Sequence, residues 1–358
     1  RNYDGFRDHL YVADLGGQLF RADFANAGFI KPVDSGTRSP ESKFTNTRVT
    51  KILDSAYTGT DSKYNHRFYE RPVVSFYRNP VSNSLFALVN IISGDRSSPL
   101  STLRDTTKSD RLYGIMDTDV SKADSILYAS DFNDSTNNNG QKVTNLTDDD
   151  LIELGSVKGV SKTSYPLNKK EDDINTLKAG GKKGWYYPLN TFDGYGNVRY
   201  SKGVGKSEVI DSFLYTTVYN PDMSYGTVDA CKAEVVGGSE RQLYCLPYGI
   251  CTDALSKNGT AGYVRAGKGI QELTLGPRSS KLSNQRLLIG NQTLTERVSN
   301  RTDFGSDVNK LIYDGKEGSQ GLDQSLKDAD RIPGSGTAPL LIHNERFTLQ
   351  PKIWYEVD

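Results

Sequence analysis

Residues 1–24, "RNYDGFRDHLYVADLGGQLFRADF", decide how the rest of the chain is read. Acids and amides come first, at Asn2, Asp4 and Asp8, with Gly5 among them. The pattern then turns apolar and alternating, from Leu10 to Asp14 and again from Gln18 to Phe24, with Gly16 and Gly17 between the runs. Glycine adopts positive φ without steric penalty, so two alternating runs joined by glycines predict a β-hairpin bent at Gly16 and Gly17.

Further along, an aliphatic–aromatic pair recurs in "HLYVAD", "SLFALV", "RLYGIM", "ILYASD", "FLYTTV" and "QLYCLP", with weaker echoes in "RLLIGN" and "KLIYDG". Each reads as the middle of a short strand. Turn clusters such as "DLGGQ", "YNPDMSYG" and "VVGGSE" fall between them, where glycine, proline, asparagine and aspartate supply the dihedrals that reverse a chain. Twenty-one tyrosines and an aromatic content of 10% favour pleated, half-buried surfaces. So many short antiparallel strands exceed one sandwich, and the expected fold is all-β: a modified β-propeller of antiparallel four-stranded blades.

The 358 residues are read as one propeller domain that begins part-way through and holds the later blades. Helical pattern is sparse, its best pieces being "LTDDDLIELG", with Thr147 as N-cap and Gly155 as stop, and "GLDQSLKDADR". The polar, glycine-rich stretches 131–183 and 314–338 read as loop insertions, and "SGDRSSPLS" at 93–101 as a solvated connector.

Forty-four basic residues balance forty-four acidic ones, leaving no positive excess to neutralise phosphates, so no nucleic-acid partner is expected. No apolar run approaches the ~20 residues of a spanning helix. The chain is therefore expected to be soluble, with no transmembrane segment and any export signal outside it.

Only His9, His66 and His343 are available for general-base chemistry, and none pairs with a serine or acid signature. His9 reads as a surface neighbour of Asp8. Neither G-x-S-x-G, H-E-x-x-H nor a P-loop occurs, and "AGKGI" at 266–270 lacks phosphate-cradling spacing. The expectation is a non-enzymatic protein. Cys231, Cys245 and Cys251 lie within one short region, and "CLPYGIC" reads either as a loop stapled by a disulfide in an oxidising compartment or as buried free thiols. Its five intervening residues do not match the two-residue spacing of disulfide exchangers.

Calcium is a hard cation that takes several oxygen ligands, and a loop that binds it presents acids and amides at alternate positions with glycine at the sharp bend. Asn2, Asp4 and Asp8 offer side-chain oxygens, the Phe6 carbonyl fills the intervening place, and Gly5 stands at the bend. Tyr11 occupies the place of an EF-hand's closing glutamate, so Asp8 must close the sphere. The other reading of these residues is a polar turn in which Asp and Asn cap backbone amides.

The opening stretch resembles the calcium loop and following hairpin of the PilC/PilY proteins of type IV pili. "RFYERPVVSFY", "RLYGIMDTDV", "NLTDDDLIEL", "KKGWYYPLN", "SFLYTTVYNPD" and "VVGGSERQLYCL" resemble later blocks of that family in the same order, up to about residue 300. The resemblance implies a carboxy-terminal modified propeller at the pilus tip or outer-membrane surface. It also implies a role in pilus assembly against retraction and in adhesion, with minor pilins, the pilus machinery and host-surface receptors as partners. Calcium would be bound by Asn2, Asp4, the Phe6 carbonyl and Asp8, and the family's first aspartate falls one place before Arg1. "GGQLFRADF" also resembles strands of quinone-dependent dehydrogenase propellers, an alternative for which two tryptophans give little to stack a cofactor. A purely structural extracellular propeller is the third reading.

Overall fold

The computed structural model describes residues 8–26, 44–56, 65–100, 109–127, 143–154, 167–192, 198–210, 212–221, 237–250, 263–270, 272–276, 284–289 and 340–346. The first sheet joins β1 (His9–Ala13), β2 (Gln18–Asn26) and β3 (Phe44–Asp54), all antiparallel. The turn into β2 is where the glycines place it. Gly17 has φ +89°, and the Asp14 carboxylate accepts hydrogen bonds at 2.9 Å from the backbone N–H groups of Gly16 and Gln18.

Register sorts this sheet into two faces, because successive side chains of a strand point to opposite sides. One face carries the rows His9–Asp23–Arg48, Tyr11–Arg21–Thr50 and Ala13–Leu19–Leu53, and the other carries Leu10–Ala22–Val49 and Val12–Phe20–Lys51. A bulge beside Leu19 sets Ile52 and Leu53 together, and both are fully buried.

The second sheet runs in the order β4 (Val73–Arg78), β5 (Leu85–Ile92), β6 (Arg111–Asp117), β8 (Gly184–Pro188), β7 (Ile152–Glu153), with β7 parallel to β8 and the other pairs antiparallel. Between β6 and β7 lies the α-helical turn α1 (Asp124–Leu127), and before β8 comes α2 (Leu167–Ala179). β5 and β6 are buried on both faces, which is why "LFALVNII" and "RLYGIM" read as nearly continuous apolar runs. Val89, Ile91, Tyr113 and Ile115 pack with Leu19, Ile52 and Leu53 of the first sheet. Phe86, Leu88, Ile92, Leu112, Met116, Trp185 and Tyr187 pack in a separate core with Ile174 and Leu177 of α2.

A two-stranded ribbon of β9 (Asn190–Phe192) and β10 (Val198–Tyr200) leads to the third sheet. That sheet contains β11 (Lys202–Gly203), β12 (Glu208–Ile210), β13 (Phe213–Asn220), β14 (Gly238–Cys245) and β15 (Tyr263–Lys268). Its Leu214, Tyr215, Val218 and Tyr244 complete the core around Trp185. The second sheet is thus the middle of three stacked β layers. β16 (Leu273–Gly276), β17 (Asn284–Ile289) and β18 (Leu340–Arg346) form a further antiparallel sheet.

The described residues are therefore mostly β, with few helices, as the sequence predicts. The sheets are open, with three or five strands apart from the ribbon, rather than uniform four-stranded blades, and no closed ring is seen among the described residues. "ILYASD" departs from its strand pattern, since Ile126 and Leu127 lie in α1. "LTDDDLIELG" forms only one 3-10 turn, Asp148–Asp150, where the Asp150 carboxylate accepts the Thr147 N–H. The chain then extends at Leu151 so that Ile152 and Glu153 can pair with Trp185 and Tyr186, and sheet pairing overrides the weak helical pattern. The stretch 131–183, read as a loop insertion, includes that turn, β7 and α2, with Leu146, Leu151, Leu154, Ile174 and Leu177 in the cores. "GLDQSLKDADR", "KLIYDG" and 314–338 lie outside the described residues.

Gly114 and Trp185 are cross-strand partners, and a Cβ on Gly114 would lie 2.3 Å from the indole ring. Gly114→Ala is expected to lower the urea midpoint by an amount equivalent to about 1–3 kcal/mol, the usual effect of overpacking a core, with an unchanged m-value. An unaltered midpoint would contradict this packing.

Candidate functional site

Of the four sequence-assigned calcium ligands, Asn2, Asp4 and Phe6 lie outside the described residues. Asp8 is the first described residue; it is buried, and its carbonyl accepts the Phe24 N–H at 2.9 Å. Among the described residues no group of three or more His, Cys, Asp or Glu is arranged to hold a metal ion. What Asp8 leads into is a buried ionic ladder that sequence reading missed.

The ladder begins in the row His9–Asp23–Arg48. The Asp23 carboxylate accepts from His9 Nδ1 at 2.9 Å, from Arg48 Nη2 at 2.9 Å and from Arg21 Nε at 2.7 Å. Arg21 turns its Nη1 across the layer to Asp117 at the end of β6, with contacts of 2.8 and 2.7 Å to the two carboxylate oxygens. Tyr11 donates its hydroxyl to the same Asp117 at 2.8 Å, and Asp117 also accepts the Asp119 N–H at 3.0 Å. Asp119 pairs with Lys122 at 2.8 Å and accepts the Val143 N–H at 2.9 Å. Three carboxylates, Asp23, Asp117 and Asp119, thus meet three permanent cations, Arg21, Arg48 and Lys122.

Burial defines the energetics. The side chains of Arg21, Asp23, Asp117 and Asp119 are all fully inaccessible, so each charge survives only because opposite charge surrounds it. Burial by itself would raise the Asp23 carboxyl, but the hydrogen bond from His9 and the charge and hydrogen bonds of Arg21 outweigh it and hold it at about 2. Burial would likewise favour a neutral Arg21, and Asp117 and Asp23 reverse that and keep it protonated. Tyr11 is held neutral by burial and by the adjacent Asp117 charge. His9, expected at the surface beside Asp8, is instead a nearly buried rung. The only sequence clue was that Arg21 and Asp23 share the inward parity of Leu19.

His66 is buried in a second polar cluster. Its Nε2 lies 3.1 Å from the Ser109 carbonyl and its Nδ1 lies 3.0 Å from the Tyr113 hydroxyl. A carbonyl only accepts, so Nε2 carries a proton and donates it to the Ser109 carbonyl, and in the neutral tautomer Nδ1 accepts the hydrogen bond of the Tyr113 hydroxyl. Burial pushes the Tyr113 hydroxyl up to about 12. Arg111 lies 4.4 Å above the Tyr186 ring and is ion-paired with Asp148 at 2.5 Å. Nor is 93–101 simply a solvated connector: Ser93 and Gly94 are buried, and the buried Lys202 donates to the Ser98 carbonyl at 2.6 Å.

Cys245 is disulfide-bonded rather than a free thiol; its partner lies outside the described residues. The loop that follows is tied to the core through its carbonyls. Trp185 Nε1 donates to the Pro247 carbonyl and the Tyr187 hydroxyl to the Gly249 carbonyl, both at 2.9 Å.

No family model matches the chain, and no curated protein sequence matches it. Among solved structures, the crystal structure of the Pseudomonas aeruginosa PilY1 C-terminal domain overlaps it with a TM-score of 0.49 and 16% identity. The overlap covers 81% of this chain and 57% of that one, so the chain spans a little over half of the domain it matches. It is a loose overlap in both path and sequence.

Removing one partner of a buried pair strands the other charge, so Arg21→Met is expected to destabilise the fold by about 3–5 kcal/mol in chemical denaturation. A loss below ~1 kcal/mol would show that Asp23 and Asp117 do not depend on it. The Asp23 carboxyl is lower in the folded chain than its unfolded value of about 3.9. Its contribution is therefore complete above that value and lost as pH falls towards about 2, amounting to roughly 2 kcal/mol. Acid titration of stability in wild type and Asp23→Asn measures this: the wild-type decline between about pH 4 and pH 2 should be shallower in the variant.

Proposed function

We infer that this chain is an extracellular, non-enzymatic propeller-type module of the PilC/PilY kind. It serves a type IV pilus in assembly against retraction and in surface adhesion, and its conformation responds to calcium. The observation that carries the reading is the junction at Asp8. In the sequence the acidic stretch of Asn2, Asp4, Phe6 and Asp8 leads directly to β1, and the next residue, His9, is the first rung of the buried ladder.

An ion in that loop would cancel carboxylate repulsion and fix the loop's path up to Asp8, whose backbone is hydrogen-bonded to Phe24. Order in the loop would then reach the contact between the first and second sheets through His9, Asp23, Arg21 and Asp117. Only an ion that binds the ordered form better can bias the equilibrium in this way. The ordered later blocks, the stacked antiparallel sheets and the disulfide of an oxidising compartment also support the reading. On this reading minor pilins, the pilus machinery and host-surface receptors are the partners.

The experiment is calcium titration by calorimetry, with melting curves in calcium and in chelator, on a chain extended by one aspartate ahead of Arg1. One binding site is expected, with a stabilisation of about 2.7 kcal/mol at a hundredfold excess over Kd. Asp4→Ala and Asp8→Ala are expected to abolish binding while keeping the far-ultraviolet spectrum. Unchanged calcium affinity in both variants rejects the ligand assignment, and identical melting curves with and without calcium reject the switch.

A further inference from the structure

The outer face of the first sheet is apolar and open to water. Leu10, Val12 and Val49 stand on it at 48%, 49% and 54% exposure, in rows shared with Ala22, Phe20 and Lys51. Lys51, the charged member of these rows, is already paired with Asp54. A contiguous aliphatic surface of this kind marks a place that something else covers.

The β3 edge of that face carries the means of covering it. Residues 143–147 run beside β3: the Asn145 N–H donates to the Lys51 carbonyl at 2.8 Å and the Leu146 N–H to the Ile52 carbonyl at 3.0 Å, while the Leu146 carbonyl accepts the Asp54 N–H at 2.8 Å. Leu146 enters the core with Leu53, whereas Asn145 and Thr147 on either side of it are exposed. Asn145-Leu146-Thr147 is therefore an N-x-T acceptor sequence held at the surface, anchored by its apolar middle residue. The Asn145 backbone is left-handed, at φ +47°, and its carboxamide makes no hydrogen bond among the described residues. The Thr147 hydroxyl, 3.2 Å from the Asp150 carboxylate, also sits on an exposed side chain. A disulfide at Cys245 belongs to an oxidising compartment, where secreted proteins acquire such modifications. Further matches at Asn133, Asn258, Asn291 and Asn300 lie outside the described residues.

We propose that Asn145 is an N-glycosylation site and that its glycan covers the outer apolar face of the first sheet. The Asn145 Nδ2 forms a bond to the anomeric carbon of an oligosaccharide delivered as its lipid pyrophosphate. The bond from that carbon to the pyrophosphate oxygen breaks, its electron pair leaves with the lipid pyrophosphate, and the amide proton passes to a base of the transferring enzyme. The sugar chain starts beside Lys51, and β1 lies three strand spacings away, about 14 Å. Several sugar units span that distance, laying C–H faces on Val49, Phe20, Val12 and Leu10 and turning hydroxyls to water.

The test treats the full folded chain with an oligosaccharyltransferase that reads N-x-S/T sequences and a lipid-pyrophosphate-linked oligosaccharide. Amidase release in heavy-oxygen water, followed by peptide mass mapping, is expected to mark Asn145 as labelled aspartate. Aspartate tolerates left-handed backbone as asparagine does, so Asn145→Asp keeps the bend while removing the acceptor. Glycosylated wild type is expected to lose the anilinonaphthalene sulfonate fluorescence of the bare face, and glycosylated Asn145→Asp, with its other sites still available, to retain it. No label at Asn145 under conditions that glycosylate a free Asn-Leu-Thr peptide overturns the acceptor. Equal dye binding by the two glycosylated chains overturns the cover.

Discussion

The contact between Arg21 and Asp117 is the constraint on which the rest of the first sheet depends. One guanidinium, wholly out of water, spans from β2 to the end of β6 and divides its donors between two carboxylates. Each of those charges would be untenable alone at that depth. Because guanidinium is planar and presents donors on two edges, a single arginine meets Asp23 along one edge and Asp117 at another, a geometry that a lysine's point charge does not reproduce. Apolar packing of Leu19, Ile52 and Leu53 on Val89, Ile91 and Ile115 brings the layers together, and the ionic contact fixes where one layer sits upon the other.

The same layer logic governs the other side. The second sheet is covered on both faces, and a large aromatic stands at the centre of the far interface because β6 has a glycine opposite it. Trp185 fills the space that Gly114 leaves and then requires an acceptor for its indole N–H, which the loop after Cys245 provides. The two faces of the middle sheet are thus locked in different ways: by charge towards the first sheet, by aromatic packing towards the third.

Much of the architecture could be read from the sequence. Glycines at 16 and 17 and the alternation on either side are local facts, and the hairpin formed as they require. The aliphatic–aromatic pairs in β5, β6 and β13 read as the middles of short strands, and all three are strands, buried on both faces. What misled the reading was equally specific. Ile126 and Leu127 of "ILYASD" belong to a helical turn, and the short acidic run after Thr147 makes one 3-10 turn because Ile152 and Glu153 are taken into a sheet with partners more than thirty residues away. The helix α2 went unread within a polar stretch, where Ile174 and Leu177 supply buried contacts among its described side chains.

For the candidate site the division is sharper. The acidic opening and the resemblance of its residues pointed to Asp8 and the segment before it, while His9 was read as a surface neighbour and Arg21, Asp23 and Asp117 drew no notice. Sequence alone determined that β1 and β2 form a hairpin and that the chain is built mostly of strands, because turn chemistry and side-chain alternation act over a few residues. Only the tertiary structure decided that Asp117 would face Arg21 from ninety-six positions away and that Trp185 would lie against the loop after Cys245. Such pairings follow from which faces the layers bury against one another, and no short window of sequence contains both partners.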